Sequence, residues 1–173
     1  MRKSVKRILR SRRGTTLVEL LAATAVLILF SLMVNSGLQL ALQSYHKMTA
    51  EAETQLLLST VSDVIADELR YARNIKSEAD GALQTYTSDS YGVQTSILLD
   101  DDGQLQVDAG GTMKRLLATG AYGTDGAYRI TELSISWEQP NFYIKIKVAD
   151  KSGIEAATEL SIRCLNEKET ETL

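Results

Sequence analysis

Arg12-Arg13-Gly14-Thr15-Thr16-Leu17-Val18-Glu19-Leu20-Leu21 is the stretch whose reading decides the fold. It joins a basic leader to a long apolar run and leaves one carboxylate just inside that run. From Leu20 to Tyr45 there is no Asp, Glu, Lys or Arg. A carboxylate at the lip of such a run is costly in lipid unless it finds a partner. A cut between Gly14 and Thr15 would create one, a free α-amine four residues before Glu19. Residues i and i+4 share a helix face, so the amine of the same chain has matched geometry. The amine of a neighbouring copy would serve as well.

The charge distribution agrees with a membrane-crossing start. Residues 1–14 hold seven basic residues and no acid. The whole chain has a formal net charge of −3; without the leader, 12 basic residues face 22 acidic ones, a net of −10. A domain that acidic has no general electrostatic pull on nucleic acid, and no direct nucleic-acid binding is expected. The basic leader would hold the N-terminus on the cytoplasmic side. Lys47 is the only basic residue between the run and Arg70, so the expected orientation is N-in, C-out. The single cysteine, Cys164, allows no internal disulfide, and the single histidine, His46, rules out multi-His metal sites.

Taken in order, the chain is expected to be α+β, with a long N-terminal helix packed on an antiparallel β-sheet. Residues 1–14 are the leader, and 15–37 a membrane helix, since about 20 residues rising about 1.5 Å each span a hydrocarbon core of about 30 Å. Thr24 and Ser31 are tolerable there because their hydroxyls can bond back to the helix backbone. Asn35-Ser36-Gly37 reads either as a simple membrane exit or as a flexible joint. Residues 38–80 continue as an amphipathic helix. Leu57, Val61, Ile65, Leu69 and Ala72 recur at helical spacing, widened by Leu58 and Val64. Glu51, Glu53, Asp63, Asp67 and Arg70 fall largely off that stripe. The helix is expected to run to near Ile75 and stop at Asp80-Gly81.

Residues 81–165 read as the antiparallel sheet. Segments 95–99 and 105–109 flank the hairpin turn Asp100-Asp101-Asp102-Gly103. Residues 113–119 suggest a short strand or turn, and Gly120, Gly123 and Gly126 a loose surface loop. The clearest signal is the alternation of Leu133, Ile135 and Trp137, then Phe142, Ile144, Ile146 and Val148, with polar neighbours. Period two means one buried face and one wet face. Thr158, Leu160, Ile162 and Cys164 continue it. Residues 166–173 form a polar tail.

Arg13-Gly14-Thr15-Thr16-Leu17-Val18-Glu19 followed by apolar residues resembles the N-terminus of type IV prepilins and pseudopilins. Thr15 stands where that family more usually has Phe, and the kinking Pro often found early in its helix is missing. The resemblance implies a pilin-like fold and a structural subunit, a minor pilin or pseudopilin. It implies cleavage by a prepilin peptidase after Gly14, N-methylation of Thr15, and an assembly role for Glu19, paired with the terminal amine of an adjacent subunit. Leu17, Leu20, Leu21, Val26, Leu27, Ile28, Leu29 and Phe30 would form the membrane helix. The implied partners are the peptidase, other subunits, an inner-membrane platform protein and the lipid bilayer. The filament could serve adhesion, motility, secretion or DNA uptake. The implied location is the cell membrane, then a surface filament.

Competing readings attach to each candidate. An ordinary secretory signal would carry Glu19 at the start of its apolar region and lacks an A-x-A site. A membrane-anchored sensor or binding protein that never polymerises is the main alternative. Asp100-Asp101-Asp102 lacks the alternating ligand spacing of an EF-hand loop and reads as a solvated turn. Cys164 reads as a small buried apolar residue, His46 as interfacial, and Trp137 as core. Lys145, Lys147 and Lys151 read as a solvated face or guarded edge. No catalytic residue, metal or cofactor is expected.

Overall fold

The structure is a computed structural model, and it describes residues 16–166. One 54-residue helix, α1 (Leu17–Arg70), precedes eight strands. These are β1 (Arg73–Ser77), β2 (Leu83–Ser88), β3 (Gly92–Leu99), β4 (Leu105–Ala109), β5 (Met113–Arg115), β6 (Tyr128–Glu138), β7 (Asn141–Asp150) and β8 (Glu155–Arg163). The fold is α+β, a long helix packed against antiparallel sheet, as the period-two and helical patterns require. The chain divides into two compact units between His46 and Lys47, a boundary that falls within α1.

In the first unit every described residue from 16 to 46 is exposed. Thr24, Ser31 and Ser36 donate their hydroxyls to the carbonyls of Leu21, Leu27 and Leu32 at 2.8–2.9 Å. The polar side chains are thereby satisfied inside the helix's own backbone. Asn35-Ser36-Gly37 does not interrupt α1; Ser36 supports it with one of these bonds.

In the second unit the predicted stripe is the helix's buried face. Leu57, Leu58, Val61, Ile65, Leu69 and Ala72 join one core cluster with Phe142, Ile144, Ile146, Val148, Ile162 and Cys164. Glu51, Asp63, Asp67 and Arg70 are exposed off that face, whereas Glu53, also exposed, lies one turn before Leu57 and meets Tyr128. Each large aliphatic side chain buried in this way contributes about 1.5–3 kcal/mol. Thr54 is also fully buried; its hydroxyl donates to Ala50 O at 2.7 Å.

The helix stops at Arg70, short of the expected end near Ile75, and β1 occupies residues expected to be helical. Four residues beyond Ala72 the stripe would need an apolar side chain and meets Lys76 instead. The helix's last carbonyls also have other partners. Ala72 N–H bonds to Leu69 O at 3.2 Å, Leu165 N–H to Arg70 O at 2.8 Å, and the Asn166 side-chain amide to Tyr71 O at 2.7 Å. The Cys164 thiol donates to Ala72 O at 3.2 Å. The chain after β8 thus closes the helix C-terminus, which would otherwise hold orphan acceptors.

The expected single sheet is two: β1–β5 in sequential order, and the β6-β7-β8 meander. Loop backbone stitches them together. Trp137 N–H donates to Gly81 O at 2.8 Å, and Ile130 N–H to Gly103 O at 2.9 Å. The second stitch requires glycine: φ at Gly103 is +73°, and a Cβ there would sit 2.5 Å from Ile130 O. The expected loose loop around Gly120 is instead anchored. Tyr122, 1% exposed, ends a short 3₁₀ turn, and its hydroxyl accepts the Leu105 N–H at 2.6 Å.

Two buried features give stability predictions. Gly103→Ala should lower the unfolding free energy by at least about 1 kcal/mol in urea titration. Gly120→Ala, where a Cβ meets nothing within 4 Å, should stay within about 0.5 kcal/mol of the parent. The Tyr86 phenol is fully buried and donates to Glu68 Oε1 at 3.2 Å. Burial, reinforced by the Glu68 charge, raises its pKa from the ordinary 10.0. A folded-state pKa raised above the unfolded one stabilises the fold below pH 10, and that contribution is lost as pH rises towards the folded value. Thermal stability should therefore fall above about pH 10, and Tyr86→Phe should make that fall shallower.

Candidate functional site

The N-terminal turn of α1 carries the chemistry that the sequence singles out. Thr16 precedes the first helical residue and Glu19 lies in the first turn. The Thr16 N–H donates to Glu19 Oε2 at 3.0 Å, and the Glu19 N–H donates to Thr16 Oγ1 at 3.3 Å. The Thr16 hydroxyl also reaches Glu19 Oε2 at 3.4 Å. This is a capping box: residue and residue-plus-three each satisfy the other's backbone donor. A negative side chain in the first turn also complements the positive end of the helix dipole.

Sequence reasoning matched Glu19 to a terminal amine and passed over this closer partner. The signal was present as Thr16-x-x-Glu19 just ahead of an apolar run. Gly14 and Thr15, the expected cleavage and methylation positions, lie outside the described residues. Glu19 Oε1 takes no hydrogen bond from any described residue. Among the described residues, only Oε2 of the carboxylate is engaged.

The apolar residues that follow have no cover. Leu17, Leu20, Leu21, Val26, Leu27, Ile28, Leu29 and Phe30 are 59–78% exposed. They surround the helix rather than lining one face. A helix apolar on all sides belongs in a bilayer or among other helices. This helix is long and apolar enough to cross a membrane.

The remaining candidates are bound into local structure. Asp100 organises its own turn: Oδ1 accepts the N–H of Asp102 and Gln104 at 3.0 and 2.7 Å, and Oδ2 accepts the Gln106 amide at 2.9 Å. Among the described residues no group of three or more His, Cys, Asp or Glu is placed to hold a metal. Cys164 is buried, as expected from its strand position. His46 meets Tyr45 edge-on, ring centres 6.2 Å apart. Trp137 is half-buried against Phe142, with ring centres at 4.5 Å.

Lys145 lies 3.7 Å from Glu132 and 3.6 Å from Glu159, and Lys147 lies 2.7 Å from Glu155. Lys151 Nζ donates to Asp125 O at 2.9 Å. A cleft of about 850 Å³ is lined by polar loops that include Asp101, Asp102, Asp125, Arg129, Asp150 and Lys151. Burial alone would raise the Asp150 pKa. Hydrogen bonds from the Ser152 side chain and from the backbone of Ile154, Ser152 and Gly153 outweigh it, so the carboxyl is held below its ordinary value.

Removing the cap has a measurable consequence. Thr16→Ala should fray the first turn by about 1 kcal/mol, seen as roughly five-fold faster amide exchange at Glu19 and Leu20 in detergent micelles. Thr16→Ser should keep the protection. No family model matches the chain, and neither a curated protein nor a solved structure matches it.

Proposed function

We propose that this chain is a structural subunit of a type IV pilus-like filament, a minor pilin or pseudopilin. The observation that carries the reading is a helix end where one carboxylate, held by its own capping box, opens a run apolar on every side. In this reading a prepilin peptidase cuts after Gly14 and methylates Thr15. The protein waits in the membrane with its N-terminus cytoplasmic and its head outside.

The platform protein then moves it into the filament, where other subunits' helices replace lipid around Leu17 to Phe30. Glu19 Oε1 accepts the terminal ammonium of a neighbour. A desolvated charge pair is far better than either charge buried alone, so that contact fixes axial register. The filament serves adhesion, motility, secretion or DNA uptake.

The capping box gives a second reading its footing. Glu19 is partly satisfied without any neighbour, as a membrane-anchored binding or sensor protein that never polymerises would need. Processing separates the two. Mass spectrometry of the membrane-bound protein should find it beginning at methylated Thr15, and Gly14→Ala should leave the full-length precursor. Glu19→Ala should be processed yet drop out of sheared filaments by about ten-fold or more, the loss expected when a buried charge loses its partner. Wild-type protein that keeps its leader would establish the anchor instead.

A further inference from the structure

The two sheets have four edges, β1, β5, β6 and β8. Three are blunted. β1 pairs with β2 through two register shifts and carries Asn74 at φ +49°. β5 is three residues long. β6 has a register shift between Ile130 and Glu132, and the stitches at Gly81 and Gly103 lie against it. Bulges, short strands and loop cover are the usual defences of a sheet edge. Among the described residues β8 has none of these three. It pairs with β7 over nine consecutive residues without a shift and contains no proline.

The hydrogen-bond phase of β8 follows from its two ends. Cys164 N–H donates to Pro140 O at 3.0 Å, and Asp150 N–H donates to Ile154 O at 3.0 Å. In an antiparallel pair the bonded positions alternate. Ala156, Thr158, Leu160 and Ile162 therefore bond to β7. The N–H and C=O groups of Ala157, Glu159 and Ser161 point away from it. Among the described residues no strand pairs on that side.

The side chains in this row add a charge preference. Lys145 is shared between Glu132 and Glu159, so the row Glu132–Lys145–Glu159 ends at the open edge with one excess negative charge. The Glu159 side chain is 77% exposed. Ala157 and Ser161 on either side are small and leave room for an approaching backbone.

We infer that β8 is a docking edge for an extended segment of another polypeptide, which adds a strand to the meander and places a Lys or Arg opposite Glu159. Backbone pairing to Ala157, Glu159 and Ser161 supplies the attachment, and the basic residue extends the alternating charge row. The inference concerns the second unit alone and stands or falls independently of the filament reading.

The test uses the full chain in detergent micelles and two synthetic peptides, Thr-Val-Thr-Lys-Thr-Val-Thr and its Glu-centred counterpart. The Lys peptide should slow amide exchange at Ala157, Glu159 and Ser161 and leave Thr158 and Leu160 unchanged. It should bind about five-fold more tightly than the Glu peptide, and Glu159→Lys should reverse that order. Ala157→Pro removes an N–H that β7 does not use; it should abolish binding while the thermal midpoint stays near the parent's. If Ala157→Pro unfolds, the Glu159→Lys reversal decides. Unchanged exchange with the Lys peptide would overturn the inference. So would no charge preference, or slow exchange at the three amides before any peptide is added.

Discussion

Everything in the described head depends on one contact surface, the helical stripe from Leu57 to Ala72 laid on the apolar face of the β6-β7-β8 meander. Val61, Ile65, Leu69, Phe142, Ile146 and Val148 are all inaccessible to water. A three-stranded sheet with a single apolar face needs a cover, and an amphipathic helix needs a floor. With no disulfide available to Cys164, that mutual burial replaces covalent cross-linking. The other features locate it. The thiol of Cys164, the amide of Leu165 and the side chain of Asn166 fasten the strand's exit to the helix end.

The first unit poses the opposite problem. The same helix, some ten residues before the stripe begins, is apolar on every side and exposed. That segment is long and apolar enough to cross a membrane. Glu19 marks the end of that segment. Its capping box gives that carboxylate a partner within the helix's own first turn. The proposed filament asks the same carboxylate to accept a stronger donor, and among the described residues its second oxygen is not engaged. The open edge of β8 is a separate opportunity on the second unit, created by backbone groups that its own sheet leaves over.

Much of this was legible beforehand. The stripe, the alternating faces of β6 to β8 and the buried Cys164 follow from periodicity, because the period of a pattern reports which face is dry, and the Asp100–Gly103 turn follows from its turn-forming residues. The end of α1 was misplaced because residues 71–77 contain no strong breaker. Their state is decided by partners distant in sequence, Thr87, Thr85 and Leu83 in β2 and 164–166 after β8. The loop containing Tyr122 looked loose for the same reason, since its anchor is the amide of Leu105. The capping box was the one local signal available and passed over, eclipsed by the longer-range partner that the leader suggested for Glu19.

The sequence by itself determined where apolar surface would lie, where charge would not be tolerated without a partner, and that a long helix would cover antiparallel strands. These are properties of spacing and solvation, and the chain carries them without reference to its folded form. Tertiary structure alone decided how many sheets there are, where the helix stops, which glycine holds two loops together and which strand edge stays open. Each depends on backbone hydrogen bonds between residues far apart in sequence, and a backbone group is chemically the same at nearly every position until folding gives it a partner.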